Sequence, residues 1–367
     1  MIRSLVEECE RTGHALIEVA EGGARGRVNR ELVRAIAGHG LFDRLFDESG
    51  VTATDLCAIR QGLARVCTEA ETAFAVQGLG AIPIHLHASP ELRDRVMPGI
   101  RRGESVAAFA LTEPAAGSDA ASLSTFAERD GDGFRITGEK TFISNAPDAD
   151  VYTLFARTTE SAGARGVTAF VVTSDLDGLV GEPIEMLSPH PLGRIHLDGV
   201  HVPEGNVLGD VDHGFRVAMQ TLDLFRPSVG AFALGMAEAA LRVATGHATT
   251  RTAFGTPIAD FQGISHQLAN VRLDIEAAEL LVYSAAAAHD EGDGESLTGK
   301  AAMAKLHATE TAQRAVDTAI QVLGARGLQA DSTLAHLYLE VRAPRIYEGT
   351  SEIQRNIIAR ELFNGRL

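Results

Sequence analysis

The chain has 367 residues, 45% of them hydrophobic and 22% charged, a composition that excludes intrinsic disorder. At roughly 150 residues per domain that length implies two or three domains with ample core. A formal net charge of −16, with no basic run, excludes the electrostatic footprint that nucleic acid needs. An anionic small ligand stays possible, because a few Arg residues can bind phosphates within an acidic protein. Cys9, Cys57 and Cys67 are odd in number and lack C-x-x-C spacing, so they read as buried free thiols. The opening Met1-Ile-Arg-Ser-Leu-Val-Glu-Glu sets acids where a signal peptide has its apolar core. No apolar run approaches the roughly 18 residues of a membrane span, and a cytoplasmic protein is expected.

Residues 1–105 read as helical, with Leu32, Val33 and Ile36 forming an i, i+1, i+4 stripe. Pro83, Pro90 and Pro98 are expected to break up the later part, and Gly78 and Gly80 to mark loop or close-packing positions. From 106 to 215 short β-branched runs take over. Val151 to Phe155 and Val167 to Val172 read as strands, and Asp130-Gly-Asp-Gly133 as a hairpin turn. Ile195, Leu197, Val200 and Val202 follow, with Asp198-Gly199 as a turn between them. Frequent turns and no intervening long helix favour an antiparallel barrel or sandwich over a parallel sheet. From 216 to 367 the period is helical again: Ile264, Leu268, Val271, Ile275, Ala278 and Val282 hold one stripe. Met303, Leu306, Val316, Ile320 and Leu323 hold the next. Gly255-Thr-Pro257, Gly292-Asp-Gly294 and the stretch from Gly324 to Gly327 punctuate these segments, so four long helices with short connections make a bundle. The chain is therefore α+β, with an N-terminal helical domain (1–105), a middle antiparallel β domain (106–215) and a C-terminal four-helix bundle (216–367).

Several familiar chemistries are unsupported. No G-x-G-x-x-G follows a strand, and there is no Walker pattern and no H-E-x-x-H. His85 and His87 lie two apart, a spacing that does not share a helix face, so no metal site is expected. Six other segments invite chemistry. The stretch from Phe109 through Leu111-Thr112-Glu113-Pro114 to Gly117-Ser118-Asp119 has the turn residues of a loop that can present N–H groups and hydroxyls to a flat ligand. Lys140-Thr-Phe142-Ile143-Ser144-Asn145 reads as an edge strand. Leu222-Asp223-Leu-Phe225-Arg226 reads as a helix-start acid with an ion pair, and Arg251-Thr-Ala-Phe254-Gly255 as a helix C-terminus followed by Gln262. Gln321-Val-Leu-Gly324-Ala325-Arg326-Gly327 is a glycine-punctuated turn. Finally, Tyr347-Glu348-Gly349-Thr350-Ser351-Glu352-Ile-Gln354 sets a carboxylate beside a glycine where a loop becomes a helix, with Ser351 and Gln354 spaced as a capping box.

In this order and at these separations, the motifs resemble those of the acyl-CoA dehydrogenase family of flavoproteins, strongly from about 105 to 360 and weakly before. The resemblance implies FAD as cofactor and Glu348 as the base that removes the α proton of a saturated acyl thioester, with flavin N5 accepting the β hydride. Phe109, Leu111, Thr112, Gly117, Ser118, Phe142, Ile143 and Ser144 would face the flavin, with Ser118 also close to the thioester. Phe142 and Ser144 stand where the family usually has Trp and Thr, which keeps an aromatic wall and a hydroxyl. Arg251, Phe254 and Gln262 would hold FAD, Arg251 from the neighbouring subunit on the pyrophosphate. Gln321, Gly324 and Ala325 would do so from the family's Q-x-x-G-G-x-G; Ala325 replaces its second glycine and brings a methyl group to that approach. Thr350 and Glu352 would hold the nucleotide portion. Asp223, Phe225, Arg226 and Gly349 would border the thioester, with bulky Phe225 restricting or redirecting the acyl path. An electron-transfer flavoprotein as acceptor and a homotetramer or homodimer are further implied. Three alternatives accompany this reading: oxidation of a carrier-protein-bound acyl group, a flavin-dependent oxygenase of the same fold, and a non-catalytic helical scaffold.

Overall fold

The computed structural model describes residues 2–47, 50–160, 163–292 and 297–367; Asp293 and Gly294 of the expected punctuation lie outside them. Six helices open the chain: α1 (Ile2–Glu21), α2 (Arg30–Gly38), α3 (Leu41–Leu45), α4 (Ala53–Ala64), α5 (Thr68–His87) and α6 (Pro90–Arg101). Eight strands follow: β1 (Ala107–Ala110), β2 (Phe126–Asp130), β3 (Gly133–Ser144), β4 (Val151–Arg157), β5 (Val167–Thr173), β6 (Leu179–Pro183), β7 (Leu192–Pro203) and β8 (Val207–Leu208). Helix α7 (Gly214–Thr250) leads through the short hairpin β9 (Thr252–Ala253) and β10 (Thr256–Pro257) to α8 (Gln262–Asp290), α9 (Leu297–Leu323), α10 (Thr333–Glu340) and α11 (Ser351–Phe363). Two compact units result, one of Met1–Ala15, Thr52–Glu71 and Asp223–Leu367, the other of Leu16–Val51 and Thr72–Leu222.

The unit holding the strands is built on an eight-stranded sheet ordered β6-β7-β3-β2-β4-β5-β8, with β1 also paired to β4. Most pairs are antiparallel, but β1 and β2 both run parallel to β4. They share one edge of it: β1 covers Val151 to Leu154, and β2 reaches only Arg157. Alternate residues from this sheet, among them Phe134, Ile136, Tyr152, Leu154, Phe170, Val172, Ile195 and Val200, form one buried cluster. The hairpin at Gly131-Asp132 forms as read, closing on the Asp130–Gly133 pair. Two local expectations fail. Strand β3, expected at an edge, lies between β7 and β2. Asp198-Gly199 is a bulge inside β7 and not a turn: pairing slips between Ile136–Val200 and Gly138–Leu197, and Gly199 takes φ +62°. Thr137 Oγ1 accepts from Gly199 N–H at 3.1 Å, and Gly199 O accepts from Arg135 at 2.9 Å, so side chains satisfy the groups the slip frees.

The prolines also behave differently from the sequence reading. Pro90 opens α6 at its first turn, where no N–H is needed, but Pro83 and Pro98 sit inside α5 and α6 without ending them. Gly78 and Gly80 lie inside α5, and Gly80 is a close-packing position: a Cβ there would stand 2.6 Å from Ala108 N in β1. Thr153 of β4 donates to the Gly80 carbonyl at 2.7 Å.

In the other unit α7, α8, α9 and α11 form the C-terminal bundle, unequal in length at 37, 29, 27 and 13 residues. Val271, Ile275, Ala278 and Val282 of the α8 stripe are buried. Gly230 lets α7 approach closely, since a Cβ there would lie 2.7 Å from Val282 and 3.4 Å from the Ala304 carbonyl. Against the expectation from apolar runs, α7 is long and apolar enough to cross a membrane by length and composition; 67% of its most apolar window is buried, as in a core helix. Cys9, Cys57 and Cys67 are buried free thiols.

Candidate active site

The loop after β1 is set by a buried ion pair. Glu113 N and Ala116 N exchange hydrogen bonds with each other's carbonyls at 3.1 and 3.2 Å, closing a turn around Pro114. The Glu113 carboxylate accepts from Lys140 Nζ at 2.7 Å, from Ser124 N at 2.6 Å and Oγ at 2.8 Å, and from Thr125 N at 2.9 Å. Lys140, with its side chain wholly buried, also donates to Leu111 O at 3.2 Å, and Thr141 N donates to Thr112 O at 3.0 Å. Burial opposes charge on both partners; Lys140 and the surrounding donors nevertheless hold Glu113 well below the usual carboxylate range, while burial pushes Lys140 down. From this anchor the chain presents a half-buried Phe109, a buried Leu111, a half-buried Thr112 and an exposed Gly117 and Ser118. A Cβ on Gly117 would meet nothing within 4 Å.

Phe142 is 55% exposed although it lies within a central strand. Pairing to β7 slips between Lys140 and Ile143, and Phe142 takes φ +54°, which turns its ring outward while Ile143 stays buried. A non-glycine residue in that region costs of order 1–3 kcal/mol and persists only where its surroundings over-determine it. Ser144 is half-buried beside Asn145, whose amide donates to Ala107 O at 2.8 Å.

In the helical unit the remaining motifs fall in four places. Arg251, just past α7, donates its N–H to His247 O at 2.8 Å and leaves its side chain exposed. Phe254 follows at 99% exposure with φ +53°, and exposed Gln262 opens α8. Gln321, Gly324 and Ala325 are exposed at the end of α9, and a Cβ on Gly324 would meet nothing within 4 Å. The Asp223–Arg226 pair forms, but inside α7 and not at a helix start, because that helix already begins at Gly214. Burial raises Asp223 although Arg226 pulls it down. Phe225 between them is 1% exposed, fully buried.

Glu348 and Gly349 both take left-handed backbone, φ +52° and +93°. Their carbonyls are the acceptors of two side chains. Gln354 Nε2 donates to Glu348 O at 3.3 Å and Gly349 O at 2.9 Å, and Lys305 Nζ donates to Gly349 O at 2.7 Å. The cap of α11 is Thr350, whose hydroxyl accepts from Ile353 N, and not the expected Ser351 box; Ser351 instead donates to Glu310 at 2.7 Å. Glu352 is exposed beside Arg355. Glu348 Oε2 is buried with no hydrogen-bond partner among the described residues, and so is Arg226 Nε. Burial pushes the Glu348 carboxyl up, while Arg60, then Lys305 and Arg226, pull it back. The arrangement is a carboxylate with one oxygen buried and unpartnered, raised in proton affinity, with three cations that pull it back.

Four participants, Arg60, Glu71, Lys305 and Glu113, were not singled out from sequence as site residues. Arg60 and Glu71 form a fully buried ion pair, with Arg60 also donating to Ser228 at 2.8 Å. Lys305 interrupts the alanine stripe of Ala301, Ala304, Ala308 and Ala312 on the buried face of α9. A charge on an apolar stripe was the available signal for Lys305, as was Arg60 after the apolar run Leu56-Cys-Ala-Ile59 of α4. Glu113 offered none beyond its place before a proline.

Residues 1–104, 108–200 and 212–363 match the N-terminal, middle and C-terminal domain families of acyl-CoA dehydrogenase. The chain is 38% identical over 312 residues to a cyclohexane-1-carbonyl-CoA dehydrogenase of Geobacter metallireducens, covering 84% of this chain and 81% of that one. Among solved structures it resembles PigA with FAD and proline, at a TM-score of 0.93 and 26% identity over 99% of this chain and 97% of that one. It also resembles the prolyl acyl carrier protein oxidase AnaB, at 0.91 and 26% identity over 98% of both chains. With all three domain families matched in order along this helix–sheet–helix chain, the protein belongs to the acyl-CoA dehydrogenase family of FAD-dependent oxidoreductases.

Proposed function

We propose that the protein oxidises a saturated acyl-CoA to its 2,3-enoyl thioester, with Glu348 as the base. The carrying observation is the buried, unpartnered Glu348 Oε2 on a left-handed turn, raised in proton affinity by burial. The α proton of a thioester is weakly acidic, so the base must be strengthened by desolvation and must have no competing donor. Glu348 meets both needs, and Arg60, Lys305 and Arg226 keep its ionised form accessible. Its own N–H is the donor we assign to the thioester oxygen as enolate-like charge grows. Asp223 and Arg226 border the pantetheine, and Gly349 borders the thioester.

The residues present fit FAD. Phe142 offers an exposed aromatic face, Gly117 and Gly324 leave their backbone approachable, and Arg251 offers an exposed guanidinium for the pyrophosphate. When bound, FAD supplies the two-electron acceptor for the hydrogen leaving the β carbon. Phe109, Leu111, Thr112, Ser118, Ile143 and Ser144 complete its ring side, and Phe254, Gln262, Gln321, Ala325, Thr350 and Glu352 its nucleotide side. Full exposure of Phe254 supports a second copy of the chain covering that region, in a homodimer or homotetramer. We assign the electrons onward to an electron-transfer flavoprotein. Similarity to AnaB favours one second reading, in which the acyl group arrives on a carrier protein.

An anaerobic visible spectrum before and after a panel of acyl-CoA and acyl-carrier-protein thioesters tests both. Bleaching by a CoA ester supports the first reading, and bleaching by carrier-bound acyl groups alone the second. A flavin that no thioester bleaches overturns both.

A further inference from the structure

Beyond the base itself, we infer that Lys305 is a positioning residue that both tethers the turn carrying Glu348 and sets the proton affinity of that carboxylate. The inference rests on Glu348 being the base. Glu348 and Gly349 occupy two consecutive left-handed conformations, which a free chain populates poorly at a glutamate, so something must hold the turn. The Gly349 carbonyl is gripped from two helices, by Lys305 Nζ of α9 at 2.7 Å and by Gln354 Nε2 of α11 at 2.9 Å. Lys305 is fully buried, and among the described residues it has no carboxylate within 4.0 Å. A buried ammonium bonded only to a backbone carbonyl is costly, and burial pushes it down to about 8. That cost serves the fold poorly, since a neutral donor such as the Gln354 amide grips the same oxygen. Its use is the charge.

The other charges around Glu348 each have a partner of opposite sign, which tempers their pull on it. Arg60 of α4 is neutralised by Glu71, and Arg226 of α7 by Asp223. Glu310 of α9 is paired with Arg345 at 2.9 Å, and Glu352 of α11 is exposed beside Arg355. The Tyr347 phenol, adjacent in sequence to Glu348, is shifted upward by burial and adds no negative charge near neutral pH. Among the described residues Lys305 is thus the cation near the base that has no paired carboxylate, and it acts alongside the larger pull of Arg60.

The test compares Lys305→Met, Lys305→Gln and Lys305→Arg in the FAD-loaded protein. Flavin reduction by an acyl-CoA is followed anaerobically across about pH 5 to 9, and the Glu348 carboxyl band, identified by its loss in Glu348→Gln, is titrated by difference infrared spectroscopy. Without the cation, the acidic limb and the infrared titration should both move up by about one pH unit in the Met and Gln variants. Lys305→Arg should restore both. The plateau rate should fall about tenfold or more in Lys305→Met and much less in Lys305→Gln, which keeps a donor. Titrations of the Met and Gln variants that coincide with the wild type overturn the inference, whatever the plateau does. Failure of both to fold or hold flavin, with Lys305→Arg intact, also overturns it, because a structural lysine then suffices. Normal flavin reduction by Glu348→Gln would remove the base assignment itself, and this inference with it.

Discussion

Removing Glu113 should destabilise the protein more than removing its partner Lys140, and the difference follows from what each leaves behind. In Glu113→Ala the Lys140 ammonium, wholly buried, keeps only the Leu111 carbonyl at 3.2 Å. Breaking a buried pair by deleting one partner costs about 3–5 kcal/mol, and the Ser124 and Thr125 N–H groups lose their acceptor as well, at about 1–3 kcal/mol each if no relaxation occurs. In Lys140→Met the carboxylate keeps three donors, Ser124 N, Ser124 Oγ and Thr125 N, so the loss should sit at the lower end, about 3 kcal/mol. The double variant Glu113→Leu/Lys140→Met should cost less than Glu113→Ala alone, since no buried charge is left unpaired. Urea unfolding of the wild type and the three variants, with slopes compared to confirm a common transition, measures these losses. Because Glu113 also anchors the loop running to Gly117 and Ser118, the single variants should retain less FAD after desalting. A Lys140→Met loss exceeding that of Glu113→Ala, or both below about 1 kcal/mol, would refute the argument from residual partners.

Glu348→Gln should keep bound flavin but lose its reduction by substrate by a factor of at least ~10³, read by anaerobic stopped flow; near-normal reduction would remove Glu348 from the role of base. Gly80→Ala gains up to about 1 kcal/mol of helix propensity but drives a Cβ to within 2.6 Å of Ala108 N, so net destabilisation by about 1–3 kcal/mol is expected in urea melts. Thr350→Ala removes the α11 cap and should cost about 1 kcal/mol, whereas Thr350→Ser should be close to neutral. Glu113 is held down to about 2 in the folded chain, against 4.5 for an ordinary glutamate, so the unfolded chain takes up this proton first as pH falls. Its contribution is therefore complete above about pH 4.5 and is lost progressively toward pH 2, and urea midpoints over that range should fall more steeply for the wild type than for Glu113→Leu/Lys140→Met.

What could be read from sequence alone was whatever local spacing encodes. The stripe of Leu32, Val33 and Ile36, the Val271-to-Val282 face of α8 and the hairpin at Gly131-Asp132 are all governed by neighbours within a few residues, and each appears as read. The order of the motifs from Phe109 to Gln354 likewise carried the family. Tertiary structure decided the rest wherever a distant partner changes the local rule. Asp198-Gly199 has the composition of a turn, yet pairing with β3 continues past it and makes it a bulge. Pro83 ought to stop a helix, yet α5 runs on to His87. Most of all, a charged residue has the same letter whether solvated or buried. That Glu113 meets Lys140 across 27 positions, that Arg60 finds Glu71, and that Lys305 grips a carbonyl 44 residues away are results of long-range packing, which brings together charges that no local spacing pairs.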